Sequence, residues 1–119
     1  MKSGSRLERI LETGQFAVTA ELGPPKGPDV AVVERKMALL KGVCDAVNIT
    51  DNQTAIVRLS SMAACALLTQ AGLEPVMQMT CRDRNRLAIQ ADVFGAAAFG
   101  VRNLLCLTGD HQCFGNHPT

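Results

Sequence analysis

Seven residues stand where a parallel α/β protein does its chemistry: Glu21, Thr50, Gln78, Thr80, Thr108, Gly109 and Asp110. Each lies at the end of a short apolar run or directly after one. Glu21, Thr50, Thr80 and Thr108 recur roughly 30 residues apart, the length of a βα unit. A single Thr or Asn in such a place usually hydrogen-bonds its own loop backbone. Four runs that all end in polar groups point instead to a ligand site, because parallel α/β folds bind ligands at the carboxyl ends of their strands. Glu21 is the most telling of the set. A carboxyl group behind an apolar strand is partly desolvated, which favours its neutral form and prepares it to donate a proton.

The elements that position these residues follow from the apolar periodicity. Residues 5–13 read as a helix with Leu7, Ile10 and Leu11 on one face. Residues 15–22 read as a strand, stopped by the Gly-Pro-Pro-Lys-Gly-Pro loop. On that strand Phe16, Val18, Ala20 and Leu22 share one face, and Thr19 and Glu21 the other. Asp29 is placed to cap a helix whose stripe is Val30, Val33, Met37 and Leu40, with Gly42 suited to its far end. Strands are expected at 45–50, 74–80 and 103–108, and helices at 54–71 and 85–99. Asn48 and Thr50 share a face of the second strand, as Gln78 and Thr80 do on the third. The last helix is expected to bury Leu87, Ala91, Phe94 and Ala98. Strands alternating with helices imply an α/β fold with a parallel sheet and right-handed crossovers. Periodicity leaves a barrel and a doubly wound sheet both open, although neither GxGxxG nor a Walker pattern occurs.

Composition excludes several functions. A formal net charge of +1 creates no long-range field for nucleic acid or membranes. With Tyr and Trp absent, there are no aromatic platforms for stacking bases. The five cysteines include no CxxC pair and sit mostly in apolar runs, which suggests reduced thiols and a cytoplasmic protein. The amphipathic N-terminus lacks the apolar core of a secretory signal, and no stretch is long and apolar enough to span a bilayer. His111, Cys113 and His117 match no standard zinc spacing, so no metal site is expected. The loop holding Arg82, Arg84 and Arg86 is either an exposed charged turn or a clamp for a phosphate or carboxylate.

Four strings then carry a resemblance: VTAELGPPKG (18–27), VNITDNQTA (47–55), EPVMQMTCRDRNR (74–86) and NLLCLTGDH (103–111). Together they resemble the methylenetetrahydrofolate reductases, in particular a bacterial branch with TCRDRN and LTGD wording. The resemblance implies a (β/α)8 barrel with a flavin at its C-terminal face, FAD being favoured over FMN. It implies an oxidoreductase of one-carbon metabolism that reduces 5,10-methylenetetrahydrofolate to 5-methyltetrahydrofolate, on the route to methionine. The family's general acid matches Glu21. Its Asp near flavin and pterin matches Asp110. Thr50, Gln78, Thr80, Thr108 and Gly109 fall at flavin-contacting strand ends. Gln78 replaces the His of better-known members, and Thr108 replaces their Arg. The electrons are expected from NAD(P)H or a partner redox protein.

A complete barrel of this type runs to about 250 residues. The 119 residues, taken as one domain, are therefore expected to form its N-terminal half, about four βα units, incomplete as a catalyst. Two other readings stay open: a non-catalytic half-barrel that assembles with another chain, and a reductase of a related pterin such as methylenetetrahydromethanopterin. An oligomer or a partner subunit is expected for a full-length protein.

Overall fold

A computed structural model describes residues 2–119. Its four strands are β1 (Thr19–Leu22), β2 (Ala46–Ile49), β3 (Pro75–Thr80) and β4 (Asn103–Leu107). They form one sheet, wholly parallel, in the order β1-β2-β3-β4. A doubly wound sheet reverses its strand order at a switch point. No reversal occurs here, so the sheet has the strictly sequential order of a barrel.

Between the strands run α2 (Val30–Leu40), α3 (Ser61–Gln70) and α4 (Arg86–Ala98), preceded by the short α1 (Arg6–Glu12). Side chains start each of them. Asp29 accepts the Ala31 N–H at 3.0 Å, Ser60 the Ala63 N–H at 3.1 Å and Asn85 the Ala88 N–H at 2.9 Å. The first turn of α1 docks onto the base of the sheet, where Glu74 accepts the N–H groups of Arg6 and Leu7 at 2.8 and 2.7 Å.

One core holds the layers together. Leu22, Ile49 and Met77 lie in one register row and are almost fully buried. They pack with Val33 and Met37 of α2, Ala64, Cys65 and Leu68 of α3, and Ala96 of α4. All three crossover helices therefore cover the same face, as right-handed crossovers running one way along a sheet require. The next row, Glu21, Asn48, Val76 and Asn103, belongs to the other face. Sequential parallel strands with helices on one face only are the architecture of half a (β/α)8 barrel.

Three expectations need correction. Strand β1 starts at Thr19, leaving Phe16 91% exposed. The helix expected over 54–71 begins only at Ser61, with Ser60 as its cap. Before it, Asn52, Thr54 and Ala55 adopt positive φ, and a 3₁₀ turn spans Gln53–Ala55. The Ala-rich part of the span, from Ser61 on, is helical, whereas residues 54–60 hold a single Ala beside β-branched Thr54, Ile56 and Val57, which favour a helix less. On α4 the expected stripe faces outward, with Leu87 and Phe94 77% and 76% exposed. The helix is apolar on most sides, so its phase is set by fit. Gly95 and Ala96 allow close approach to α3, where a Cβ on Gly95 would lie 3.1 Å from Met62 Sδ, and Phe94 could not enter.

The cysteines divide along the same lines. All five are free; Cys65 is buried, Cys44 is half-buried, and Cys81, Cys106 and Cys113 are exposed. Burial pushes the Cys65 thiol up to about 12. Titration with an aromatic disulfide at mildly alkaline pH should show three fast thiols, a slower Cys44, and Cys65 reacting only on unfolding. Fast native labelling of Cys65 would contradict this packing.

Candidate functional site

The loop after β1 is pinned from three sides. Lys36 Nζ donates to the Gly23 carbonyl at 2.8 Å, Arg58 Nη1 to that of Pro24 at 3.2 Å, and the Leu59 N–H to that of Pro25 at 2.8 Å. Pro24 is buried beneath them. This fixes the end of β1 and so the root of Glu21. The Glu21 side chain is itself exposed on the uncovered face. The desolvating walls expected around it are not supplied by the described residues.

The ends of β2 and β3 are joined by a buried carboxylate. Asp51 has no exposed side-chain surface. Its Oδ2 accepts the Thr80 N–H at 2.8 Å, the Thr80 hydroxyl at 3.1 Å and Arg84 Nη1 at 2.6 Å. Arg84 Nη2 reaches Oδ1 at 3.3 Å, completing a bidentate pair. Arg84 Nη1 also donates to the Thr80 carbonyl at 2.9 Å, and Nε to Asp92 of α4 at 3.2 Å. Donating to the Asp51 carboxylate holds the Arg84 guanidinium above its ordinary pKa. Arg84 thus meets a carboxylate, as the sequence allowed, but the carboxylate is the protein's own. Arg82 likewise bridges the carbonyls of Asp110 and Asn52, at 3.0 and 3.3 Å. Arg86 is exposed at the start of α4.

The loop after β4 folds back over the loop after β2. Asp110 Oδ2 accepts the Thr54 N–H at 2.6 Å, Asn116 Oδ1 accepts the Val57 N–H at 2.7 Å, and the Asn116 N–H reaches the Ala55 carbonyl at 3.2 Å. These bonds hold the positive-φ residues in place. Gly115 lies so close that a Cβ on it would overlap the Ala55 carbonyl. His111 accepts the Cys113 N–H at 3.2 Å and so shapes the 3₁₀ turn Gln112–Phe114. Among the described residues, no three His, Cys, Asp or Glu side chains gather as metal ligands would. No described helix is long and apolar enough to cross a membrane.

Between these loops lies an open cavity of about 370 Å³. Gln78, Thr80, Thr108, Gly109 and Asp110 line it, with Asp51, Gln53 and Leu107. Five of the seven sequence-selected residues therefore meet at one place. Thr50 does not: it is buried and donates to Gln53 Oε1 at 2.9 Å. Glu21 does not line the cavity either, standing two strands away from β3. The Thr80 hydroxyl is committed to Asp51 and Arg84. Gly109 has φ +87°, and a Cβ there would come within 3.0 Å of Thr80 Cγ2 and Arg82 Nη1. A second cleft, about 270 Å³, opens at the opposite end of the strands beside Arg6, Asp45, Glu74 and Arg102. Its charges are largely committed to the fold: Arg6 pairs with Asp45 at 3.2 Å and Glu74 binds α1.

Sequence reasoning marked the arginine loop but missed that Asp51, Arg84 and Asp92 form one network. Removing one partner of such a pair strands a buried charge at a cost of about 3–5 kcal/mol. Asp51→Ala should lower stability by about that much in urea denaturation, and Arg84→Met in the same chain should recover part of it. Loss below about 1 kcal/mol would show that the pair does not hold the strand ends.

Comparison with known proteins adds the identity. The profile of the family described as Methylenetetrahydrofolate reductase matches residues 6–117. Curated proteins searched individually give no match. The matched span takes in all four strands, the Asp51 network and the cavity between the strand-end loops. With nearly the whole chain covered and the barrel order of the sheet in agreement, this chain belongs to the methylenetetrahydrofolate reductase family.

Proposed function

We propose that this chain provides the flavin- and folate-binding strand ends of an enzyme that reduces 5,10-methylenetetrahydrofolate to 5-methyltetrahydrofolate. The observation that carries the reading is the gathering of Gln78, Thr80, Thr108, Gly109 and Asp110 around one cavity at the strand carboxyl ends. The residues there suit a flavin, with FAD favoured. Gln78 makes no side-chain hydrogen bond to the other described residues, so its amide is free to bind a polar ring edge. Gly109 lets a ligand approach the backbone, and Leu107 supplies an apolar surface. A bound reduced flavin supplies the hydride that the methylene carbon accepts.

The chain's own residues prepare the folate. The product keeps the carbon on one ring nitrogen, so the bond to the bridging nitrogen must break. Glu21 donates the proton that this departing nitrogen takes up, leaving an electrophilic iminium carbon. Asp110, held by the Thr54 N–H, places a negative charge beside the pterin. The reading belongs to cytoplasmic one-carbon metabolism, with a nicotinamide nucleotide or a redox protein as reductant.

The uncovered face sets a condition on activity. Leu105 and Leu107 are 41% and 37% exposed there, and Glu21 is open to water. A proton donor and a hydride acceptor work best where water is excluded. Unless that face is covered, the chain binds flavin weakly and does not turn over. In an assembly that covers it, Glu21→Gln should lower folate reduction by about 10²–10⁴-fold while bound flavin is retained. Unchanged folate reduction in Glu21→Gln would remove Glu21 from the chemistry.

A further inference from the structure

Gln53 stands in the cavity at the strand ends, and its neighbours fix which way its amide faces. The buried Thr50 hydroxyl donates to Gln53 Oε1 at 2.9 Å, so the amide oxygen is held and the nitrogen is turned away from Thr50. Gly23, two residues after Glu21, makes room for that nitrogen: a Cβ on Gly23 would lie 3.1 Å from Gln53 Nε2. Nε2 itself makes no hydrogen bond to the other described residues. The backbone on both sides is left-handed, with φ 45° at Asn52, 58° at Thr54 and 56° at Ala55. For a β-branched Thr that conformation is unfavourable. It is imposed from outside, by Asp110 on the Thr54 N–H, Asn116 on the Val57 N–H and Arg82 on the Asn52 carbonyl. Gln53 is thus a neutral donor held in place, lining the cavity and reaching the loop after β1.

We propose that the Gln53 amide nitrogen donates a hydrogen bond to a ring carbonyl of the bound pteridine and so turns that ring toward Glu21. The inference rests on the flavin and folate reading and adds to it a contact that orients the ligand. Flavin and folate share the chemistry it would recognise, a pteridine ring system with a carbonyl beside a ring nitrogen. A neutral N–H suits such an oxygen, and an amide already held by Thr50 loses little freedom on binding. Arg82 and Arg84 are committed to the protein's own carbonyls and carboxylates, which leaves the side-chain amides of Gln53 and Gln78 free at the cavity.

Amide-resonance titrations of the 119-residue chain, with FAD and with 5-methyltetrahydrofolate in separate arms, test the contact. Gln53→Met keeps the length of the side chain and removes the donor. It should raise the dissociation constant of the ligand touched by about 3–10-fold at every pH. Gln53→Glu keeps an oxygen for Thr50 and replaces the donor with a second oxygen. Ionised, at about pH 8, the introduced carboxyl sets an acceptor against an acceptor, and binding should fall by about tenfold or more. Protonation restores a donor, so this loss should shrink as the pH falls to about 5. Glu21, Asp51 and Asp110 are present in both proteins, so the ratio of variant to unmodified chain isolates position 53. A pH-dependent loss in the FAD arm assigns the contact to the flavin, and one in the folate arm to the pterin. Unmodified binding of both ligands by Gln53→Glu, or a loss that does not change with pH, overturns the proposal while the flavin and folate reading stands. An unmodified chain that binds neither ligand overturns both. If Gln53→Glu loses its far-ultraviolet circular dichroism spectrum, Gln53→Met decides, and unchanged binding there overturns the proposal.

Discussion

The buried pair of Asp51 and Arg84 is the constraint on which the functional end of this protein depends. One carboxylate, fully removed from solvent, gathers the end of β2, the backbone and hydroxyl at the end of β3, and the guanidinium before α4. Parallel strands are joined only through long crossovers, so nothing local keeps neighbouring strand ends level. A polar tie across them does this, and it accounts for a charge so deep in a small protein. The same tie commits Thr80 to structure and leaves Gln78, one position before Met79, as the free polar group on that strand.

A second layer of contacts rests on that tie. Arg82, anchored in the loop beside Arg84, holds the carbonyls of Asn52 and Asp110. Asp110 in turn holds Thr54, and Asn116 holds Val57. The loops after β2, β3 and β4 are therefore one interlocked body around the cavity. The loop after β1 is fastened separately, through Lys36, Arg58 and Leu59. Glu21 stands apart from the cavity for this reason. In a flat sheet it would remain distant, whereas the curvature of a closed barrel brings opposite strands to face a common centre.

Much of this was legible in the sequence, and the division has a physical cause. Alternation along each strand separated Leu22 from Glu21, because one face must be apolar and the other need not be. Asp29 marked a helix start through its side-chain chemistry alone. Of the recurring polar strand ends, Thr80 and Thr108 line the cavity, while Glu21 and Thr50 do not. What failed was non-local. The α4 stripe through Leu87 and Phe94 is as apolar as the buried one, and only the tight fit of Gly95 and Ala96 against α3 chooses between them. The turn at Asn52, Thr54 and Ala55 is unfavourable locally and is held by residues some sixty positions away, as with Val57 and Asn116. Asp51 carries no local sign of its role because its partner lies 33 residues on.

We propose above that the strand ends of this family member bind flavin and folate at the cavity beside Gly109. Titrating the isotopically labelled chain with FAD, followed by amide nuclear magnetic resonance, tests it even when binding is weak. The account predicts shifts concentrated at Gln78, Thr80, Thr108, Gly109 and Asp110, with little change at the base of the sheet. Shifts centred instead on Arg6, Asp45, Glu74 and Arg102, in the cleft at the opposite end, would contradict it.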